Sequence, residues 1–275
     1  MKKMGFIGAG NMGGALITAV CRTLDPQEVV IYDIDRAKAE VLAVQTGCAA
    51  GSCYEDVVND AQIVMLCVKP QFVQEVLDDL MPLLKANYDA GVRQVIGSIV
   101  ASLELSVLTG RFADAGMEMP VVRMMPNTPV MIGKGIILFS KNETATDADV
   151  SEMMDALAAG GLCKCVPEEK IAQATPVFSC SPAYVYIFIE ALSDAGVDLG
   201  LFRDESIEMA AQAVLGSAAM VLETGQHPAQ LKDAVCSPGG MTIAGVAALE
   251  ENGFRNAAIQ AVRKAYERQE EMAGK

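Results

Sequence analysis

Two stretches of this chain place residues where ligand chemistry needs them, and neither holds a conventional acid–base group. The first, Gly8-Ala9-Gly10-Asn11-Met12-Gly13, matches Gly-x-Gly-x-x-Gly. It follows a short apolar run, Met4–Ile7, and opens a segment of helical spacing, the context in which such a loop holds a dinucleotide pyrophosphate. Gly8 permits the tight turn, Gly10 lets the phosphates approach the backbone, and Gly13 lets helix and strand pack closely. Asp33 ends the second strand, where a carboxylate reaches an adenosine ribose. The same charge repels the 2′-phosphate of NADP and Asp35 adds to it, whereas Arg36 and Lys38 next in line suit a phosphate. The cofactor is therefore NADPH or NADH, with the balance of charge on the NADH side.

The second stretch is Cys236-Ser237-Pro238-Gly239-Gly240-Met241-Thr242. Ser237 suits a helix cap and Pro238 a first helical turn. Gly239 and Gly240 carry no Cβ, so a small ligand can come down onto the backbone. The N–H groups of the first turn and the helix dipole then favour a small carboxylate, and Thr242 adds a hydroxyl. Taken alone, this is also what an ordinary helix start looks like. Two further loops should line the same crevice as the glycine loop, because ligands of such folds bind at the carboxyl ends of strands. They are Val68-Lys69-Pro70, otherwise a plain strand-to-helix turn, and Asn127-Thr128 between two prolines, either a rigid turn or a means of orienting a carboxamide.

The elements that position these residues change character along the chain. Met4–Ile7, Val29–Tyr32, Ile63–Val68, Gln94–Ile99, Val121–Met124 and Gly135–Phe139 read as strands. They alternate with helical spacing over Gly14–Leu24, Arg36–Thr46, Gln71–Leu84, Glu104–Arg111 and Asp147–Ala159. That alternation predicts an α/β fold, a Rossmann-type doubly wound parallel sheet over residues 1–163. Residues 164–275 should be all-α, with helices at Pro182–Ala195, Arg203–Glu223, Pro228–Ala234, Pro238–Glu250 and Arg255–Met272. Ala210–Leu222 is apolar on nearly every face, and so small a domain offers little to bury it in, so a second copy of the chain is the natural cover.

Composition excludes several functions. The 275 residues carry a net charge of −14, which disfavours nucleic acid and anionic membranes. There are eight cysteines, none in a Cys-x-x-Cys pair, and one histidine, His227, in a Gly-Gln-His-Pro turn. No metal site, disulfide framework or Ser-His-Asp triad is expected. The apolar start resembles a signal peptide, but its glycines break the run, and no segment reaches the roughly 20 apolar residues that span a bilayer. The expected compartment is the cytoplasm.

Phe6–Met12, Val68–Gln71, Val122–Pro129, Ser181–Tyr184 and above all Leu231–Ile243 resemble pyrroline-5-carboxylate reductase, in order and over nearly the whole chain. The resemblance implies reduction of 1-pyrroline-5-carboxylate to L-proline with NADPH or NADH, the last step of proline synthesis. It also implies a homodimer with interlocked helical domains, assembled further into rings in part of the family. By it, Gly8–Met12 and Val68, Lys69 and Pro70 hold the cofactor and Asn127 sits beside the nicotinamide. Val235, Ser237, Gly239, Gly240, Met241 and Thr242 hold the substrate, with Thr242 as the catalytic candidate near the ring nitrogen. The chain departs from the family pattern at Cys180, where a glycine is usual, at Ser102, and at Tyr54, where a small polar residue near the cofactor is common.

Hydride transfer to a protonated imine needs little acid–base machinery, because the iminium already carries the charge. The scarcity of acid–base clusters fits that chemistry. A β-hydroxyacid dehydrogenase would share the architecture but needs a lysine on its helical domain, and the chain has none between Lys170 and Lys232. A non-catalytic dinucleotide sensor would not need the Ser237–Thr242 box.

Overall fold

The computed structural model describes residues 1–101 and 103–272. Two compact units emerge: Met1–Ser179 together with the chain from Gln269 on, and Cys180–Arg268.

The first unit is built on one sheet of eight strands. These are β1 (Lys2–Ile7), β2 (Val29–Tyr32), β3 (Ala49–Ala50), β4 (Ala61–Leu66), β5 (Val95–Ser98), β6 (Val121–Pro126), β7 (Gly135–Lys141) and β8 (Gly161–Cys165), in the order β3-β2-β1-β4-β5-β6-β7-β8. Every neighbouring pair is parallel except β6–β7, which is antiparallel. The helices α1 (Asn11–Thr23), α2 (Arg36–Thr46), α3 (Tyr54–Val58), α4 (Val73–Asp89), α5 (Leu105–Asp114), α6 (Asp147–Leu157) and α7 (Glu168–Phe178) complete the unit. The central strands read as near-continuous apolar runs because both faces are covered, one by a core around Phe6, Leu16, Ile31 and Phe139, the other by a core around Leu66, Leu77, Leu80 and Phe112.

Sequence signals fix several boundaries. Asp35 caps α2 by accepting from the Lys38 N–H, and Gly47 ends it in the left-handed region. Thr146 and Asp149 form a reciprocal capping box on α6, and Asp149 also takes a two-pronged bond from Arg93 at 2.9 and 2.6 Å. That guanidinium holds the Asp149 carboxyl well below its ordinary value, at about 2. The domain division expected after residue 163 falls inside β8, and α7 beyond it packs Ile171 onto Met125 and Leu138 of the sheet. The expected all-α stretch thus opens with the end of a strand. A five-residue strand of mixed character, Gly-Leu-Cys-Lys-Cys, carries too little period-2 signal to be recognised alone.

The second unit is helical: α8 (Ser181–Asp198), α9 (Arg203–Thr224), α10 (Pro228–Ala234), α11 (Met241–Glu251) and α12 (Phe254–Met272), the last ending in the first unit. α8 and α9 cross closely at Gly196, where a Cβ would stand 2.1 Å from the Ser206 hydroxyl oxygen, and that hydroxyl bonds the Ser193 carbonyl at 2.9 Å. Little apolar surface is buried within the unit. In α9 only Ser206 and Ala210 are buried, while Leu215, Met220 and Leu222 stand at least half exposed. No helix among the described residues is long and apolar enough to cross a membrane.

Candidate functional site

The dinucleotide part of the site belongs to the first unit. α1 starts at Asn11 with Gly10 as its N-cap, with no side-chain cap and no acidic residue in its first turn. Its first N–H groups and the positive end of the helix dipole are therefore left for an anion. The three glycines divide their tasks as the fingerprint requires. Gly8 sits at φ +105, and a Cβ there would meet the Cys67 carbonyl oxygen at 2.6 Å. A Cβ on Gly13 would stand 2.2 Å from the Gly8 carbonyl oxygen, so helix and loop touch there. At Gly10 a Cβ would meet nothing within 4 Å. Nothing in the protein's packing requires glycine at that position, and the space beside its backbone is open to a ligand. These observations fit a pyrophosphate.

Asp33 lies just past β2 and does more than mark a ribose. Its Oδ2 accepts from the Ala9 N–H at 2.6 Å and its Oδ1 from the Asp35 N–H at 2.9 Å, while Gly8 N–H donates to the Tyr32 carbonyl at 2.8 Å. The glycine loop is thereby tied to the end of β2, and the carboxylate is fixed in place. A cleft of about 290 Å³ runs beside it, bordered by Gly8, Gly10, Asp33, Val68 and Lys69 and also by Tyr32, Tyr54, Phe72 and Glu75. Burial, and the charges around it, raise the Tyr54 hydroxyl above its ordinary value. Pro70 opens a short 3-10 turn, Pro70–Phe72, that leads into α4. Asn11, on the other side of the loop, borders a separate groove with Lys38 and Met131, and Met12 is half-buried. Cys67, under the loop, is buried and its thiol is pushed up by that burial, so it is a poor nucleophile.

Asn127 uses its side-chain amide within the protein. Its Oδ1 accepts from the Ile136 N–H at 2.9 Å and its Nδ2 donates to the Phe178 carbonyl at 3.0 Å, with the side chain buried. It fastens β7 and the end of α7 to the end of β6.

The carboxylate-like box belongs to the second unit, and there the structure corrects the helix start. α11 begins at Met241 with Gly240 as N-cap, three residues later than expected, and no side chain caps it. Ser237–Gly240 is instead a turn, closed by Gly240 N–H donating to the Ser237 carbonyl at 3.0 Å, with Pro238 second and Gly239 third at φ +67. That is a type II turn, whose Pro-Gly centre was readable in the sequence. Ser237 is thus not the cap and Pro238 is not in the first turn. A Cβ on Gly240 would stand 2.3 Å from the Ser237 hydroxyl oxygen, which can rotate away, and 3.2 Å from the Ser237 carbonyl oxygen. The uncapped first-turn N–H groups of α11 are those of Met241, Thr242 and Ile243, and Met241 and Thr242 are exposed beside Val235, Ser237 and Gly239. His227 caps α10, its Nδ1 accepting from the Ala229 N–H at 3.2 Å. The eight cysteines are free, and among the described residues no cluster of His, Cys, Asp or Glu could hold a metal. Sequence reasoning missed Tyr32, Phe72 and Glu75, because only the turn geometry brings the ends of β2 and the start of α4 to one cleft.

The family model for pyrroline-5-carboxylate reductase dimerisation matches residues 168–272, and one for NADP oxidoreductase, coenzyme F420-dependent, matches residues 3–88. Pyrroline-5-carboxylate reductase of Escherichia coli (strain K12) is 37% identical over 275 residues, 99% of this chain and 98% of that protein. The chain belongs to the pyrroline-5-carboxylate reductase family. The Synechocystis sp. reductase is 36% identical over 99% of both chains. Among solved structures, the Plasmodium falciparum pyrroline carboxylate reductase with NADP bound superposes with a TM-score of 0.85 at 31% identity, covering 99% of this chain and 98% of that one. The Coxiella burnetii pyrroline-5-carboxylate reductase gives 0.87 at 27% identity over 98% of each. As a member of that family the chain is an NAD(P)H-dependent oxidoreductase with a Rossmann-type first domain and a dimerisation domain.

Proposed function

We propose that this chain reduces 1-pyrroline-5-carboxylate to L-proline, the last step of proline synthesis, from two helix N-termini of its own. The observation that carries the residue assignment is that α1 and α11 each begin at a glycine with no side-chain cap and no acid in the first turn. One such seat serves the pyrophosphate and the other the substrate carboxylate. Bound NAD(P)H supplies the hydride. The chain's residues bind and orient. Gly8, Gly10, Asn11, Met12 and Gly13 present the phosphate seat, Val68, Lys69 and Pro70 edge the crevice, and Asn127 fixes the end of β6 on the same rim of the sheet. The N–H groups of Met241–Ile243 take the carboxylate, Val235, Ser237, Gly239 and Gly240 shape the pocket around the ring, and the Thr242 hydroxyl holds the ring nitrogen. Because the imine is reduced in its protonated form, no strong base is required, only a fixed orientation and exclusion of water.

NADH is the preferred reductant. What supports this is Asp33: with both oxygens bonded to backbone N–H groups, its charge cannot swing away from a 2′-phosphate. Asp33→Ser removes that charge, and the NADH/NADPH ratio of kcat/KM should move toward NADPH by about tenfold, the worth of roughly 1–3 kcal/mol. An unchanged ratio would place the ribose elsewhere. Loss of absorbance at the nicotinamide band with pyrroline-5-carboxylate and either cofactor tests the reaction itself.

The functional division is 1–163 for the dinucleotide and 164–275 for substrate and dimer. α7 belongs by packing to the first part and by family match to the second. The enzyme works as a cytoplasmic homodimer joined through α9 and assembled into a larger ring, with no nucleic-acid or membrane partner.

A further inference from the structure

The lining of the dinucleotide cleft carries features that hydride transfer does not use. Ile34 is 86% exposed and Phe72 50% exposed where they border it, although both are large and apolar. Tyr54 stands edge-on to Tyr32, ring centroids 4.9 Å apart and planes at 72°, so its face is held in one place. Exposed apolar groups lining a cleft leave water when an apolar surface such as a flat ring covers them, and a fixed aromatic wall offers such a ring a stacking surface at little entropic cost. An acidic side chain borders the same cleft from the first turn of α4: Glu75. Its neighbours Gln74 and Asp78 are both taken by Arg111, but Glu75 makes no hydrogen bond or ion pair among the described residues. Asp33, the other carboxylate of the cleft, already holds two backbone N–H groups.

We infer that Glu75 reads the exocyclic amine of the purine that lies against Tyr54, and so selects an aminopurine dinucleotide over an oxopurine one. This rests on the assignment of the cleft to the cofactor. An ionised carboxylate only accepts hydrogen bonds, a 6-amino group only donates there, and a 6-oxo group only accepts. Adenine therefore gains a charge-assisted bond at the 6-position, whereas hypoxanthine sets one acceptor against another there and keeps only its neighbouring ring N1–H as a donor. Lys38 and Lys69 also border the cleft and as donors would favour the oxopurine, so the outcome distinguishes which charge reads the base.

The chain has no tryptophan and six tyrosines, so tyrosine emission, with calorimetry beside it, reports binding of ADP and IDP to the whole protein. ADP should bind about tenfold or more tightly than IDP, the worth of one hydrogen bond to a charged group. In Glu75→Gln, whose amide both donates and accepts, that preference should collapse to near parity. Tyr54→Leu should weaken both nucleotides together and leave their ratio intact. The inference is overturned if wild-type protein binds the two equally, or if Glu75→Gln keeps the wild-type ratio. Failure of either nucleotide to bind wild-type protein at millimolar concentration removes the cofactor assignment of the cleft as well.

Discussion

Gly10 separates what the protein needs from what its ligand needs. Its backbone is extended, φ −63 and ψ −174, a conformation any residue adopts, and a Cβ there meets no atom within 4 Å. Gly10→Ala therefore has two small effects on folding that oppose each other. It reduces the freedom of the unfolded chain, worth about 0.4–1 kcal/mol of stability. It also replaces a tolerated helix N-cap by a poor one, which costs roughly 0.5–1 kcal/mol. The net change should be close to zero, and the unfolding midpoint should move by no more than about 2–4 °C. The dinucleotide meets the new methyl group where its phosphates approach α1. Losing one charge-assisted bond to a backbone N–H is worth about 1.5–3 kcal/mol, or roughly 10- to 150-fold in the NAD(P)H dissociation constant. Gly13→Ala makes the comparison sharp, because its Cβ would sit 2.2 Å from the Gly8 carbonyl and must deform the loop. Scanning calorimetry and cofactor titration on the two variants decide the matter. Gly10→Ala binding NAD(P)H like wild type, or unfolding many degrees lower, would refute the argument.

Thr242→Ala should lower kcat/KM for pyrroline-5-carboxylate by about 1.5–3 kcal/mol while leaving the NAD(P)H dissociation constant unchanged, and Gly240→Val should abolish turnover with the same cofactor affinity. Equal losses for both ligands would contradict the placement of the carboxylate. Asp149, held at about 2 by Arg93, ionises more readily in the folded than in the unfolded chain. Its contribution of about 2 kcal/mol is present above pH 4 and lost as the pH falls toward 2. Urea unfolding between pH 5 and 2 should show that loss in wild type and lack it in Asp149→Asn. Ala218→Glu places a charge in the face of α9 left uncovered in one chain, and light scattering should find monomer or unfolded protein; an active, intact dimer would show that the face is not the contact.

How far the sequence reached depended on how local each signal was. The glycine loop, the strand–helix alternation and the limits of α9 and α10 rest on neighbours in the chain, and all were readable. The start of α11 was not placed correctly, because Ser-Pro-Gly-Gly satisfies both a helix-entry pattern and a turn pattern. Only the Gly239 backbone and the Gly240 hydrogen bond distinguish them. Asp33 was legible as the acid at the strand end, but its bond to Ala9 joins residues 24 apart, and no spacing rule encodes that. Asn127 was legible as a polar residue in a rigid loop, yet its partners Ile136 and Phe178 are fixed by the β6–β7 turn and by α7, neither of which is visible from Pro-Asn-Thr-Pro.

The single change of direction between β6 and β7 governs where the chain leaves its first unit. β1 to β6 all run one way, and β7 and β8 run the other, so after Cys165 the chain has descended to about the level of Met124. α7 then climbs beside β6, starting where Glu168 meets Arg123 at 2.7 Å and ending where Phe178 meets Asn127. Its eleven residues rise about 16 Å, close to the roughly 13 Å that β6 covers between Arg123 and Asn127. One reversal of the strands followed by one helix restores the original heading, and Ser179 departs from the same rim of the sheet that carries the glycine loop. Had β7 been parallel to β6, the same count of elements would have released the chain at the opposite rim, away from the ends of β1 and β4.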